Sequence, residues 1–348
     1  MSDEASPPLA TRLDLPASQA AGETLLEVEH LAISIRGAQV VSDVSLKVGA
    51  GEVVGLVGES GSGKTLTGLG VLGLLPNAAK PTGRVNFLGV DMLNASKKEL
   101  RALRGAEVSM IFQEPLSSLN PSFTVGRQIV HVIRAHEELS VREASVRAVQ
   151  RLGEVGLPNP GEIFHSFPHE LSGGMAQRAM IAMALACEPK LLIADEPTTA
   201  LDATIQAQIM ELLQRVVEER QLAVLLISHN MALISEMCGR VVTMYCGQVV
   251  SMDSTRGLLN APSHPYAWAL QQAARVEFGA EDGWGGIKGV PANPFAPPSG
   301  CRFHPRCPFA EERCAREEPA LVELSSGALT RCLLHDEIKL PVLEDWDA

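Results

Sequence analysis

The sequence has no long hydrophobic run. Its longest apolar stretches, such as LAVLLIS and VVGLVG, have six or seven residues, whereas a helix that crosses a bilayer needs about 20. The N-terminus also lacks the basic start and the apolar centre of a secretory signal. We therefore expect a cytoplasmic chain without a membrane-spanning segment. We expect the acidic tail over residues 1–24, which is rich in Ala, Ser and Pro, to be disordered.

Positive charge is scarce. The chain has 29 Lys and Arg against 41 Asp and Glu, a formal net charge of −12, and its basic residues form no stripe. Binding to a phosphate backbone depends on clustered Lys and Arg, so this balance disfavours a nucleic-acid partner. Heptad repeats are absent as well, which argues against a long coiled coil. With 348 residues, 46% of them hydrophobic, the chain can form one large domain and a smaller one.

A glycine-rich segment, GESGSGKT at Gly58–Thr65, stands between a β-branched stretch and an amphipathic one. It matches the P-loop pattern, in which backbone N–H groups and the positive end of a helix dipole bind phosphate. The pattern predicts that Lys64 reaches the β- and γ-phosphates of a nucleotide and that the Thr65 hydroxyl ligates magnesium. The predicted phosphate-binding residues are Gly58, Ser60, Gly61, Gly63, Lys64, Thr65 and Thr67.

A second apolar stretch, LLIADEP, ends in two acids, Asp195 and Glu196. A parallel strand delivers such carboxylates to the edge of its sheet, beside bound phosphates. We expect Asp195 to join the magnesium sphere and Glu196 to polarise the attacking water. A solvated Asp-Glu turn after a buried strand is the alternative, and the presence of a P-loop makes it the weaker interpretation.

The segment LSGGMAQR at residues 171–178 predicts a second helix start able to bind phosphate, with a helix (the signature helix) running to about Cys187. With the P-loop, LLIADEPTTALD and LLISHN, in order over residues 25–270, it resembles the nucleotide-binding subunit of an ABC transporter. The resemblance implies an α/β fold of the P-loop NTPase class. Its parts would be a core with a mixed sheet, an antiparallel β subdomain, and an α-helical subdomain at about 115–185 that receives a coupling helix of the membrane subunit.

The resemblance also implies residue roles. Gln113, in MIFQEP, would contact magnesium and the attacking water, and His229, in LISHN, would contact the γ-phosphate. The start of the signature helix would contact the γ-phosphate of ATP held by a second subunit, so that two subunits sandwich two nucleotides. The residues assigned to this contact are Ser172, Gly173, Gly174 and Gln177, with Asp202 in the loop that crosses to the partner.

Aromatic residues make up only 4% of the chain, and none occurs from Met1 to the P-loop. The family usually stacks an aromatic ring on adenine at a position that is Ile35 in this chain. Ile35, the flat guanidinium of Arg36, or a partner residue would therefore pack on the base. This departure concerns adenine selectivity and nucleotide affinity, and it leaves the hydrolytic groups intact.

Cysteines concentrate near the C-terminus, after a Pro- and Gly-rich linker predicted over residues 271–300. Four of the seven, Cys301, Cys307, Cys314 and Cys332, lie in a small Cys-rich C-terminal extension, residues 301–348, without a Cys-x-x-Cys pair. In a reducing compartment such a set favours a metal site over disulfides. The segments LLNAPSHPYAWAL and GCRFHPRCP resemble the C-terminal region of oligopeptide and dipeptide importers, which holds a 4Fe-4S cluster. The cluster, zinc, and free or disulfide-bonded thiols stay open as alternatives.

These features predict an ATPase that powers the import of oligopeptides or dipeptides, through attack of water on the γ-phosphate of ATP with Glu196 as base. Expected partners are two transmembrane permease subunits, a second and different ATPase subunit and, indirectly, an extracytoplasmic peptide-binding protein. The expected location is the cytoplasmic face of the membrane. Another solute of this branch, such as nickel or a glycopeptide, is the runner-up, and a soluble ABC ATPase that acts on ribosomes or DNA is a remoter alternative.

Overall fold

The computed structural model describes residues 23–199, 201–277 and 287–341. Most of the predicted N-terminal tail, residues 278–286 of the predicted linker and the last seven residues lie outside these ranges. The chain divides into two compact bodies. The helical body consists of residues 94–224, and the P-loop body combines residues 24–93 with the residues from 225 onward.

The first part of the P-loop body is mostly strand. Its elements are β1 (Thr24–Ile35), β2 (Ala38–Gly49), β3 (Val53–Val57), α1 (Lys64–Val71), β4 (Ala79–Phe87) and β5 (Val90–Asp91). Four of these strands form an antiparallel sheet in the order β2-β1-β4-β5. Apolar side chains of β1, including Leu26, Val28 and Ile33, are buried, as expected for a sheet with one face against a core. The predicted antiparallel subdomain is thereby confirmed.

The helical body contains two strands and seven α-helices in the described residues. They are α2 (Lys97–Leu103), β6 (Val108–Ile111), α3 (Pro115–Ser118), α4 (Val125–His136), α5 (Val141–Glu154), α6 (Pro160–His165), α7 (Gly173–Ala184), β7 (Leu191–Asp195) and α8 (Ala203–Arg220). Strands β6 and β7 pair in parallel. Helix α5 starts at a capping box in which Ser140 and Glu143 satisfy each other's backbone N–H groups. Its buried face, with Ala144, Ala148 and Leu152, is typical of an amphipathic helix.

The second part of the P-loop body completes a mixed sheet. Its elements are β8 (Ala223–Ser228), α9 (Met231–Met237), β9 (Arg240–Tyr245), β10 (Gln248–Ser254), α10 (Thr255–Asn260), α11 (Pro265–Glu277), β11 (Val322–Glu323) and β12 (Leu329–Thr330). The order in this body is β11-β12-β10-β9-β3-β8. Strand β9 runs parallel to β3 and antiparallel to β10, which confirms the predicted mixed sheet. None of the described helices has the length and apolarity that a membrane span requires.

The C-terminal region packs into the P-loop body. Three rings, those of Tyr245, Tyr266 and Phe303, meet with centroid distances of 4.6 to 5.2 Å and form an apolar cluster. Strand β12 pairs with β10, and the buried Arg331 donates to the carbonyl of Val249. Helix α11 continues to Glu277, so the first residues of the predicted linker are helical. The predicted domain boundaries at 271 and 301 stay predictions.

Candidate functional site

The P-loop connects β3 to α1, as the sequence predicts. Gly58, Gly61 and Gly63 all have positive φ, at 151°, 80° and 102°. At Gly58 a Cβ atom would lie 2.2 Å from the carbonyl oxygen of Met244, so only glycine fits there. Ser60 and Thr65 are exposed around the start of α1, where backbone N–H groups lack partners within the helix. The loop therefore presents the anion-binding geometry that the glycine spacing indicates.

The side chain of Lys64 lies on the loop itself. Its Nζ donates to the carbonyls of Gly58 and Glu59, at 2.7 and 3.0 Å. Its predicted contact with the β- and γ-phosphates stays a prediction. Thr67 is fully buried, and its hydroxyl donates to the carbonyl of Gly63 at 3.0 Å. Its predicted contact with phosphate stays a prediction.

Glu59, which sequence reasoning passed over, is held by the C-terminal region. Its backbone N–H donates to the hydroxyl of Tyr266 at 2.8 Å. Its carboxylate accepts two hydrogen bonds from Arg306, at 2.5 and 3.0 Å. Of these two partners, the sequence indicated only Tyr266, because its His-Pro-Tyr segment resembles part of the C-terminal region of oligopeptide and dipeptide importers. Arg306 was not indicated, because no local sequence pattern links it to a residue 247 positions away.

In the helical body, Gln113 and Glu196 lie together. The Gln113 Nε2 donates to the Glu196 carboxylate at 3.3 Å, and the Thr199 hydroxyl donates to the same oxygen at 2.8 Å. Glu196 follows the end of β7 in the left-handed region, with φ of 47°, while Asp195 is buried at the strand end. The backbone of Glu196 leaves strand geometry here, and its side chain lies beside Gln113. Two predicted catalytic residues are thus in contact.

The signature helix is α7, which starts where the sequence predicts and ends three residues early, at Ala184. Ser172 is its N-cap, accepting from the N–H of Met175, and both Ser172 and Gly173 are exposed. Gly174 stands against Ile205, whose Cγ2 would lie 2.9 Å from an added Cβ. The helix start is therefore open to an anion.

Gln177 and Asp202 perform structural tasks in the helical body. Gln177 is buried and donates to the carbonyl of Pro197 at 2.6 Å. Asp202 caps α8 by accepting from the N–H of Ile205 at 3.0 Å, although the residue itself is exposed. Such bonds account for their residue types without a nucleotide, so their predicted contacts with ATP stay predictions.

The predicted adenine contacts occupy the turn between β1 and β2 in the P-loop body. Ile35 is half-buried, and Arg36 is exposed with φ of 53°. His229 is exposed, immediately after β8. These positions leave the Arg36 guanidinium accessible to a base, and the assignments stay predictions.

The four C-terminal cysteines lie near one another and form no disulfide. Cys314 and Cys332 are buried and pack together, while Cys301 and Cys307 are half-buried. Burial raises the pKa of Cys307 to about 12 and that of Cys332 to about 11, and the neighbouring thiols add to the rise. Three of the sulfurs accept a backbone hydrogen bond from two residues further along the chain, at Phe303, Phe309 and Leu334.

No metal centre is evident at these cysteines. Throughout the described residues, no group of three or more His, Cys, Asp or Glu side chains is arranged to hold a metal ion. The thiols are within electrostatic range of one another but do not converge on one point. The predicted metal site at the four cysteines is therefore not supported by the geometry.

A P-loop on a mixed sheet, a second N-capped helix start, and a Gln-Glu pair after a buried strand define an ATP-binding protein of the ABC class. The sequence model described as ABC transporter matches residues 41–199. The model described as Oligopeptide/dipeptide transporter, C-terminal region, matches residues 250–314. The chain belongs to the family of ABC transporter ATP-binding proteins, in the oligopeptide/dipeptide transporter branch.

Individual proteins agree with this membership. The dipeptide transport ATP-binding protein DppD of Escherichia coli (strain K12) is 46% identical over 293 residues, which cover 84% of this chain and 90% of that protein. The oligopeptide transport ATP-binding protein AppD of Bacillus subtilis (strain 168) is 43% identical, covering 90% of this chain and 98% of that protein. Among solved structures, the ATP-binding cassette MJ0796, dimeric and bound to ADP and Pi, matches with a TM-score of 0.60 and 27% identity, over 67% of this chain and 99% of that one.

Proposed function

We propose that this chain hydrolyses ATP to power the import of oligopeptides or dipeptides. The observation that carries the proposal is one P-loop body containing both the phosphate-binding loop and a C-terminal region of the oligopeptide/dipeptide transporter type. Relatives named for dipeptide and oligopeptide transport, 46% and 43% identical, support the choice of solute. Nickel or a glycopeptide is the runner-up solute, and a soluble ABC ATPase is the remoter alternative.

The proposed mechanism assigns ATP to the backbone N–H groups of Gly58–Thr65, with Lys64 neutralising the β- and γ-phosphates. Magnesium, whose hydroxyl and carboxylate ligands would come from Thr65 and Asp195 with help from Gln113, would neutralise charge on the phosphates. Glu196 would take a proton from the attacking water. The hydrogen bond between Gln113 and Glu196 supports their joint role, because it lets the amide of one orient the carboxylate of the other.

The proposed site is completed by a second ATPase subunit, whose signature helix would contact the γ-phosphate. The exposed start of α7, with Ser172 and Gly173 open to solvent, supports this assignment. We propose a different ATPase chain rather than an identical copy as the partner. Two permease subunits and an extracytoplasmic peptide-binding protein would complete the importer, with this chain peripheral on the cytoplasmic face of the membrane.

ATP hydrolysis is tested with Glu196→Gln. The substitution removes the proton acceptor and keeps the side-chain shape, so hydrolysis should be lost while ATP binding survives. Glu211→Gln, at an exposed position of α8, is the matched control and should hydrolyse ATP normally. Both are compared by phosphate release from the complex reconstituted with its membrane partners. Equal hydrolysis by Glu196→Gln and the wild type would contradict the assigned role.

The solute is tested by uptake in cells that depend on this importer. Labelled dipeptide and oligopeptide uptake should fall in a strain carrying Glu196→Gln and be unaffected by excess nickel. Loss of nickel or glycopeptide uptake with normal peptide uptake would favour the runner-up.

We also propose that the four cysteines hold a 4Fe-4S cluster. Their donor set supports it: four free thiols at one place, three of them with backbone N–H groups directed at sulfur, an arrangement that stabilises thiolates. The cluster would act as a structural crosslink of the C-terminal region.

The cluster is tested by purification without oxygen and quantification of iron, zinc and acid-labile sulfide. About four irons and four sulfides per chain are expected, and they should be lost in Cys307→Ser. Cys187→Ser, a buried cysteine of the helical body, is the control and should retain them. Zinc, or no metal at all, would overturn the cluster and leave the ATPase proposal standing.

A further inference from the structure

Glu59, the second residue of the P-loop, forms an ion pair with the C-terminal region. Both of its carboxylate oxygens accept from Arg306, Oε2 from Nη1 at 2.5 Å and Oε1 from Nη2 at 3.0 Å. Its backbone N–H donates to the Tyr266 hydroxyl at 2.8 Å. Side chain and backbone of one P-loop residue are thus both fixed by residues more than two hundred positions away.

The guanidinium of Arg306 is itself held firmly. Its side chain is only 4% exposed, and it donates further to the carbonyls of Lys288 and Ile287, at 2.9 and 3.1 Å. The Cζ atom of Arg306 lies 5.9 Å from the centroid of the Tyr245 ring. A fork of donors fixed in this way gives Glu59 a defined position, whereas an exposed ion pair would be mobile and weak.

A second arginine of the same segment reaches the P-loop through one intermediate. Arg302 donates to the carbonyl of Cys246 at 2.5 Å and to the Ser42 hydroxyl at 3.0 Å. Gly247, which follows Cys246 in the chain, donates its N–H to the carbonyl of Ser62 in the P-loop at 2.9 Å. The segment around residues 302–306 therefore contacts the loop at its start and supports the turn that holds its middle.

The charge of Glu59 explains why such a contact matters for the ligand. A carboxylate within a phosphate-binding loop repels the triphosphate of ATP, and the repulsion is strong in a partly buried setting. Arg306 pairs with this carboxylate and neutralises its charge. The bidentate geometry also keeps the loop backbone in place, which lowers the cost of ordering it when nucleotide binds.

We propose that Arg306 is a positioning residue for nucleotide binding: by pairing with Glu59 it neutralises and orders the P-loop, so that the C-terminal region sets the affinity for ATP. The inference rests on the proposed binding of ATP at residues 58–65. A purely structural ion pair would stabilise the fold, and the affinity for ATP would not depend on the charge of Glu59. The positioning role and the structural role therefore predict different results when the charge of Glu59 is removed as well as that of Arg306.

The test measures the Kd of MgATP and MgADP for the purified full-length chain by calorimetry. Arg306→Met leaves Glu59 unneutralised, and the Kd for MgATP should rise on the order of tenfold, with a smaller rise for MgADP. Glu59→Gln removes the repulsion between Glu59 and the triphosphate. The double variant, Arg306→Met with Glu59→Gln, should therefore recover most of the MgATP affinity that Arg306→Met loses. Arg316→Met, which removes a charge paired with Glu312 in the same region, should bind as the wild type does.

Two outcomes would overturn the proposal. One is an Arg306→Met protein that binds MgATP as tightly as the wild type. The other is a double variant that binds as weakly as Arg306→Met alone, which is the result expected of a purely structural pair. If Arg306→Met does not fold, Arg306→Lys replaces it. That variant keeps the charge but loses the bidentate fork, so its Kd for MgATP should rise by less than tenfold, and a rise of tenfold or more would refute neutralisation as the main effect.

Failure of the proposed ATP site at residues 58–65 can be distinguished from failure of the role inferred for Arg306. Lys64→Ala should abolish or severely weaken MgATP binding if the nucleotide occupies the P-loop. Unchanged binding by Lys64→Ala would refute the proposed location of ATP, whatever Arg306→Met does. With Lys64→Ala inactive in binding, the Arg306 and Glu59 variants report on the inferred role alone.

Discussion

A buried histidine should make the P-loop body sensitive to acid. His264 is 1% exposed, its Nδ1 accepts the N–H of Tyr266 at 2.9 Å, and its Nε2 donates to the carbonyl of Arg331 at 3.2 Å. Burial lowers the pKa of His264 to about 3, and the charge of Arg331 adds to the effect. The neutral imidazole is therefore part of the native structure.

The sign and size of the effect follow from proton linkage. The unfolded chain has an imidazole pKa of 6.5 and binds a proton as the pH falls below that value, while the folded protein stays neutral until about 3. The unfolded state is thus favoured by acid. The free energy of unfolding should fall by about 2 kcal/mol between neutral pH and pH 5 through this group alone. The loss should continue as the pH approaches the folded-state pKa.

The assay is urea unfolding of the wild type and of His264→Gln at several pH values from about 7.5 to 5. An amide can accept and donate hydrogen bonds but does not titrate, so the variant should lose about 2 kcal/mol less than the wild type over this range. His131→Gln, at an exposed position of α4, is the control and should keep the wild-type pH dependence. Equal pH dependence of His264→Gln and the wild type would refute the reasoning.

Two glycine substitutions test the packing within each body, one in the helical body and one in the P-loop body, and both are measured by the melting temperature. Gly126→Ala should lower the free energy of unfolding by about 1–3 kcal/mol, because its Cβ would stand 2.1 Å from the Phe164 ring; Gly161→Ala, with no atom within 4 Å, should cost little. Gly247→Ala should destabilise the P-loop body and weaken MgATP binding, because its Cβ would lie 2.3 Å from a carbonyl oxygen of β2. Gly89→Ala has nearly the same φ and open space, so similar losses in both variants would mean that backbone strain rather than the clash decides.

Features that depend on neighbouring residues were predictable from the sequence. The glycine spacing and the β-branched residues before it located the turn from β3 to α1, because a positive φ and a helix start are local properties. The segment LSGGMAQR located the start of α7, and the structure shows Ser172 as its N-cap, a role that involves only the next three residues. The mixed and antiparallel sheets followed from the resemblance that these motifs carry.

Features that depend on distant residues were not predictable. Arg306 and Glu59 are 247 positions apart, and no local pattern links them. The inward direction of Gln177 is set by packing around α7, which the motif does not reveal. Cysteine spacing gave four thiols in one region but could not give their relative positions, and these decide what they can bind. Helix α11 extends into the predicted linker because proline and glycine become frequent only beyond it.

The pairing of β12 with β10 has a practical consequence for anyone who shortens this chain. A version that ends before residue 300 would keep every nucleotide-binding motif but strip β10 of the partner that it has at Ser251 and Met252. It would also remove Arg331, which donates to the carbonyl of Val249 and pairs with Asp43. A bare strand edge is a template for pairing with another copy. Such a fragment should therefore precipitate on concentration, because the edge of β10 would be open at these two residues.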